Sequence, residues 1–101
     1  MLVRRFISLF LLLFTIFSSA QEKFTLSGVI SDGKTNETLI GVSIIIEELR
    51  TGTSTNEYGF YSITLPEGTY TVRISYLGYK EIKTTIDLSQ NIKTNFSILE
   101  S

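Results

Sequence analysis

The side chains most able to do chemistry here are carboxylates and hydroxyls. Glu47 and Glu48 are adjacent, Asp32 and Glu37 share one polar stretch, and Ser and Thr recur throughout, but the chain has no His and no Cys. Two carboxylates act as general acid and base only when both face the same substrate. Neighbours on an extended strand point to opposite faces, so Glu47 and Glu48 are expected to be separate surface charges. Asp32 with Glu37 offers a hard cation two carboxylates, where calcium takes about six to eight oxygens; these too are expected to be solvated charges. Without His or Cys, Ser-His-Asp triads, Cys–His pairs, zinc sites and disulfides are excluded within the chain. No catalytic, cofactor-binding or metal-ligating residue is expected, and the chain does not read as an enzyme. The aromatic group Tyr58, Phe60, Tyr76 and Tyr79 has two readings. It is a platform for sugar rings, or Tyr76 is core by strand parity while Tyr58 and Phe60 cap one end of a sandwich. Ile45 and Phe60 fall on the outward parity of their strands, which would mark an apolar patch for a neighbouring domain.

A chain of 101 residues positions these groups with one small domain. The stretch from Met1 to Ala20 differs from the rest. Arg4 and Arg5 precede an apolar run from Phe6 to Phe17, and Ser18-Ser19-Ala20 follows. Positive, apolar and small-residue segments in that order predict a secretory signal over 1–20, with the domain over 21–101. No Cys follows the run, so the lipid-anchored variety is excluded. Losing Arg4 and Arg5 with the leader leaves 7 basic and 10 acidic side chains, a net charge of −3, which argues against nucleic acid as a partner.

From Gln21 on there is no Ala, while Thr, Ile and Val abound, a composition that favours strands. Apolar positions alternate through Phe24–Ile30, Val42–Ile46, Tyr61–Leu65, Tyr70–Tyr76, Ile82–Leu88 and Ile92–Ile98, with a short strand over Gly52–Asn56. Polar or Gly-containing breaks separate them at 31–37, 56–59, 66–68 and 89–91. Seven short strands with turn signals between them predict an all-β sandwich of two antiparallel sheets.

Four stretches resemble one family. Leu26-Ser27-Gly28-Val29-Ile30-Ser31-Asp32 and Thr38-Leu39-Ile40-Gly41-Val42-Ser43-Ile44 are similar to the opening of the carboxypeptidase-regulatory-like domain. Thr51-Gly52-Thr53-Ser54-Thr55-Asn56-Glu57-Tyr58-Gly59-Phe60-Tyr61 and Ile74-Ser75-Tyr76-Leu77-Gly78-Tyr79 are similar to its later motifs. The motif positions are Gly28, Asp32, Gly41, Gly52, Asn56, Gly59, Tyr61, Gly78 and Tyr79. Gly28 and Gly41 sit inside strand patterns, where glycine marks a bulge or a close backbone approach. Asn56 stands where the family prefers Asp, keeping the turn's acceptor and dropping its charge. The resemblance implies a transthyretin-like, seven-stranded Greek-key sandwich. It also implies a non-catalytic periplasmic accessory or docking domain, as at the N-terminus of TonB-dependent outer-membrane receptors of Bacteroidetes-type bacteria. Its partner there would be a plug and barrel C-terminal to it, or another envelope protein, in nutrient uptake. The alternatives are an exported carbohydrate-binding module and the accessory domain of a secreted peptidase. The resemblance places Tyr79 after a turn, where its phenol would anchor the following chain to the sandwich rather than meet a ligand.

Overall fold

A computed structural model describes residues 21–101; the signal expected over 1–20 lies outside the described residues. Eight strands form in chain order: β1 (Lys23–Asp32), β2 (Ser43–Ile46), β3 (Thr51–Ser54), β4 (Phe60–Pro66), β5 (Gly68–Ser75), β6 (Ile82–Leu88), β7 (Ile92–Lys93) and β8 (Phe96–Ile98). One sheet runs β4-β1 and then β7 and β8, both of which pair with β1; the other runs β3-β2-β5-β6. The alternation seen in the sequence decides which side chains meet between them. Leu26 and Ile30 of β1, Tyr61 and Leu65 of β4, Ile44 and Ile46 of β2, and Val72 and Ile74 of β5 are buried in one cluster. The fold is the expected all-β sandwich.

Three details depart from expectation. The run Ile92–Ile98 is two strands, because Thr94 and Asn95 leave the ladder; this makes eight strands of seven. Both pieces pair with β1 in parallel, Leu26 opposite Ile92 and Ile30 opposite Phe96, whereas every other ladder is antiparallel. Gly41 lies in a turn at φ 81°, not in a strand.

The break in the last strand has a cause on its neighbour. A Cβ at Gly28 would stand 1.8 Å from the Thr94 carbonyl oxygen. The absent side chain lets that peptide press against β1, where Thr94 N–H donates to the Ser27 carbonyl at 2.8 Å. Gly28 pairs with Tyr61 on the other side. The Tyr61 hydroxyl donates to the same Thr94 carbonyl at 2.7 Å. Two Asn side chains complete the β1 edge: Asn91 Oδ1 accepts from Thr25 N–H and Asn95 Oδ1 from Val29 N–H, each at 2.9 Å.

The strand directions give the sandwich two distinct ends. The Glu22 carbonyl, just before β1, accepts from Glu67 N–H at the end that holds the β4–β5 turn. Ser101 N–H donates to the Gly78 carbonyl at the opposite end. Chain entry and exit are thus separated by the full length of β1, the longest strand of the fold.

Candidate functional site

The exit end gathers most of the motif residues. It holds the β1–β2 loop, the β3–β4 turn, the β5–β6 turn and the final residues. Asp32 closes β1 there and is buried at 5% exposure, which corrects the expectation of a solvated loop carboxylate. Its Oδ1 accepts from Lys34 N–H at 2.8 Å and Thr35 N–H at 3.1 Å. Its Oδ2 accepts from the Tyr79 hydroxyl at 2.6 Å. Tyr79, then the two backbone donors, hold the Asp32 carboxyl below its ordinary range. The same hydrogen bond, with burial, pushes the Tyr79 phenol up to about 12. Charge-assisted bonds of this kind are the strong ones. With three donors on it, the carboxylate organises a loop and presents little to a cation. Glu37 joins Asp32 through its backbone carbonyl, which accepts from Asp32 N–H.

Tyr79 anchors β1 through its hydroxyl and meets the following chain through its backbone, which bridges to Glu100. Lys80 N–H donates to the Leu99 carbonyl at 2.7 Å, so residues 78–80 and 99–101 form a short two-stranded ladder. Gly78 makes the preceding turn at φ 86°. The Tyr76 and Tyr79 rings lie 5.4 Å apart, and Tyr76 is partly buried against the core rather than within it. A cleft of about 280 Å³ opens beside this cluster, lined by Asp32, Lys34, Thr35, Lys80, Leu99 and Glu100.

The β3–β4 turn is built around Asn56. Its Oδ1 accepts from Tyr58 N–H at 2.9 Å and Phe60 N–H at 3.0 Å. The turn closes with Gly59 N–H donating to the Asn56 carbonyl. A Cβ on Gly59, at φ 75°, would lie 2.7 Å from Thr38 Cβ, so this turn packs directly on the β1–β2 loop. Thr55, which composition did not single out, ties the two together. It is buried, its hydroxyl donates to the Leu39 carbonyl, and it accepts from Val42 N–H at 2.9 Å. Its place in the Thr51–Thr55 motif was the available signal. Asn91 and Asn95 were missed because a side chain standing in for a strand carbonyl leaves no trace in periodicity.

The structure brings Asp32, Gly41, Asn56, Gly59, Gly78 and Tyr79 to this one end. Gly28 and Tyr61 are paired mid-sheet, and burial pushes the Tyr61 phenol up to about 12. Gly52 lies apart on β3, where a Cβ would meet the Ile44 carbonyl oxygen at 2.4 Å. Near it runs an open trough of about 800 Å³ on the outer face of the β3-β2-β5-β6 sheet. Two of its charged members, Glu47 and Arg73, pair at 3.4 Å, and Glu47 also contacts Lys83 at 3.3 Å. Glu48 instead turns its carboxylate to Thr71 N–H on β5, at 2.7 Å, which lowers its pKa. Adjacent in sequence, the two glutamates share no substrate position. Among the described residues no three His, Cys, Asp or Glu side chains group as a metal site would require.

Comparison with known proteins supplies the remaining facts. A family model described as the CarboxypepD_reg-like domain matches residues 26–101. TonB-dependent receptor P3 of Formosa agariphila is 31% identical over 91 residues, which are 90% of this chain and 9% of the receptor. The chain therefore spans less than a tenth of that relative's length. Among solved structures, the C-terminal domain of shaft pilin SpaA from Lactobacillus rhamnosus GG superposes with a TM-score of 0.60 at 14% identity. That match covers 80% of this chain and 100% of the other. A protein of unknown function described as membrane-associated, from Bacteroides fragilis, matches with a TM-score of 0.57 at 19% identity, over 81% of this chain and 29% of its own. At these identities both likenesses speak to the sandwich fold alone.

Proposed function

The chain belongs to the CarboxypepD_reg-like domain family, and from that premise we propose that it is a non-catalytic accessory domain of a TonB-dependent outer-membrane receptor. The observation that carries this is the 31% identity to such a receptor across 90% of the chain. The proposal places the domain in the periplasm, behind a cleaved leader over 1–20, in series with a plug and barrel. Its geometry suits that position. A module whose chain enters at one end and leaves at the other can be inserted in line and hold its neighbours apart by the length of β1. Nothing at the exit end resembles a reacting centre: the one buried carboxylate is saturated by Lys34, Thr35 and Tyr79.

The test is deletion of residues 24–99 in the native gene with the leader kept. Barrel insertion into the outer membrane should persist, while substrate uptake or coupling to envelope partners changes. Unchanged uptake together with micromolar binding of a polysaccharide by the purified domain, read by calorimetry, would favour a carbohydrate-binding module instead.

A further inference from the structure

We infer that the exit end of the sandwich is a docking surface, and that its occupant is the folded polypeptide continuing past Ser101 in a receptor-length chain; this rests on the receptor reading above. Five of the six large apolar side chains left exposed among the described residues lie at this end: Ile40, Tyr58, Phe60, Leu77 and Leu99. The sixth, Leu49, lies at the opposite end. Leu77 is 98% exposed and Tyr58 71%. Single exposed apolar residues are ordinary on a protein surface, but several collected at one end mark an interaction site. The turn at Leu77 needs its glycine, Gly78 at φ 86°, but places no demand for an aliphatic group on the residue before it.

The occupant follows from where the chain leaves. Residues 99–101 run antiparallel to 78–80, with Ser101 N–H on the Gly78 carbonyl, so any continuation starts beside Leu77. The family relative carries more than nine-tenths of its length outside the matching stretch. A domain tethered at that point meets the surface at an effective concentration in the millimolar range for a short linker, so a modest apolar contact suffices to hold it. The apolar groups form two flanks, Leu77 and Leu99 at the 78–80/99–101 ladder, and Ile40, Tyr58 and Phe60 on the β1–β2 loop and the β3–β4 turn packed against it. A folded surface spans such flanks more readily than a single extended strand does. Charge selects the kind of surface. With Glu81 held by Arg73 at 3.8 Å, Lys34 and Lys80 are still outnumbered there by Glu37, Glu57 and Glu100, a slightly acidic rim that an anionic lipid face repels and that a neutral or basic protein face accepts.

Photo-crosslinking in the native envelope tests this. The full gene product is expressed with Leu77→p-benzoylphenylalanine or, as a control on the exposed face of β6, Thr85→p-benzoylphenylalanine. Both positions are exposed, so neither substitution threatens the fold. Irradiation from position 77 should give crosslinked peptides that map to the same polypeptide beyond residue 101, with little or no yield from position 85. Lipid adducts, crosslinks to another protein or to a second copy, or equal yields from both positions would overturn the inference while leaving the receptor reading standing. A product whose intact mass ends at Ser101 would remove the occupant and the receptor reading together.

Discussion

Replacing Gly28 by Ala should do more damage than the same change at any other glycine of this chain. The new Cβ would sit 1.8 Å from the Thr94 carbonyl oxygen and 2.6 Å from its carbon. Carbon–oxygen contacts in sheets lie at about 3.3–3.6 Å, so the Thr94 peptide must retreat by about 1.5 Å. Both groups are backbone, and no side-chain rotation relieves the clash. Three hydrogen bonds depend on that peptide staying put: Thr94 N–H to Ser27, Tyr61 hydroxyl to Thr94, and Val29 N–H to Asn95. At about 1 kcal/mol net for each, the loss is about 3 kcal/mol, a large share of what a domain this size possesses. Gly41→Ala is the control. Its Cβ meets nothing within 4 Å, and only the φ of 81° resists it, at about 1–2 kcal/mol. Urea unfolding followed by far-ultraviolet circular dichroism suits a chain without Trp. A double-mutant cycle sharpens the test. Tyr61→Phe alone should cost about 1 kcal/mol and close to nothing in the Gly28→Ala background, because its partner has already moved. Additive costs, or a Gly28→Ala loss no larger than that of Gly41→Ala, would refute the argument that Gly28, Thr94 and Tyr61 form one unit.

Ile74, fully buried on β5, should lose about 2–5 kcal/mol on truncation to Ala, whereas Thr71→Ala on the opposite face should lose far less; equal urea midpoints would mean the strand parity is wrong. Asp32 has a lowered pKa, so the stability it contributes is present above its unfolded value of 3.8 and disappears as pH falls through the folded value. Acid melts of Asp32→Asn should therefore be flatter below that pH than those of the parent. Tyr79 has a raised pKa, so its contribution is intact below 10 and disappears as pH rises toward about 12; Tyr79→Phe should flatten the alkaline limb. Intact mass of exported protein should start at Gln21, and a species retaining Met1 would contradict cleavage after Ala20.

What could be read in the sequence was whatever depended on neighbours along the chain. The Tyr70–Tyr76 alternation is a local pattern, and β5 obeys it from Tyr70 to Ile74. The turn role of Asn56 was legible because its acceptor serves donors two and four residues on. Ile92–Ile98 has an equally clean alternation, yet it breaks at Thr94 because a glycine far back on β1 leaves room for its carbonyl. Periodicity carries no record of that. Asp32 shows both cases in one side chain. Its bonds to Lys34 and Thr35 are those a loop aspartate makes anywhere, but its burial depends on Tyr79, far along the chain on the other side of the sandwich. The exit end as a unit was hidden for the same reason, since its members come from four separate stretches of chain.

The parallel pairing of β1 with β7 and β8 also bears on when the domain can fold. The first strand meets its last partners only after Ile98 exists, so the closure spans nearly the whole domain, from Leu26 to Ile92 and from Asp32 to Ile98. Long closures of this kind slow folding, because the entropy of bringing the ends together is lost before any contact compensates it. A ribosome-bound chain still lacking β7 and β8 has β1 paired on one side only, with the Tyr61 hydroxyl unpartnered. Such a chain stays open until those strands emerge. If the leader expected over 1–20 directs export, that lateness would keep the polypeptide threadable through a translocation pore and defer folding to the far side of the membrane.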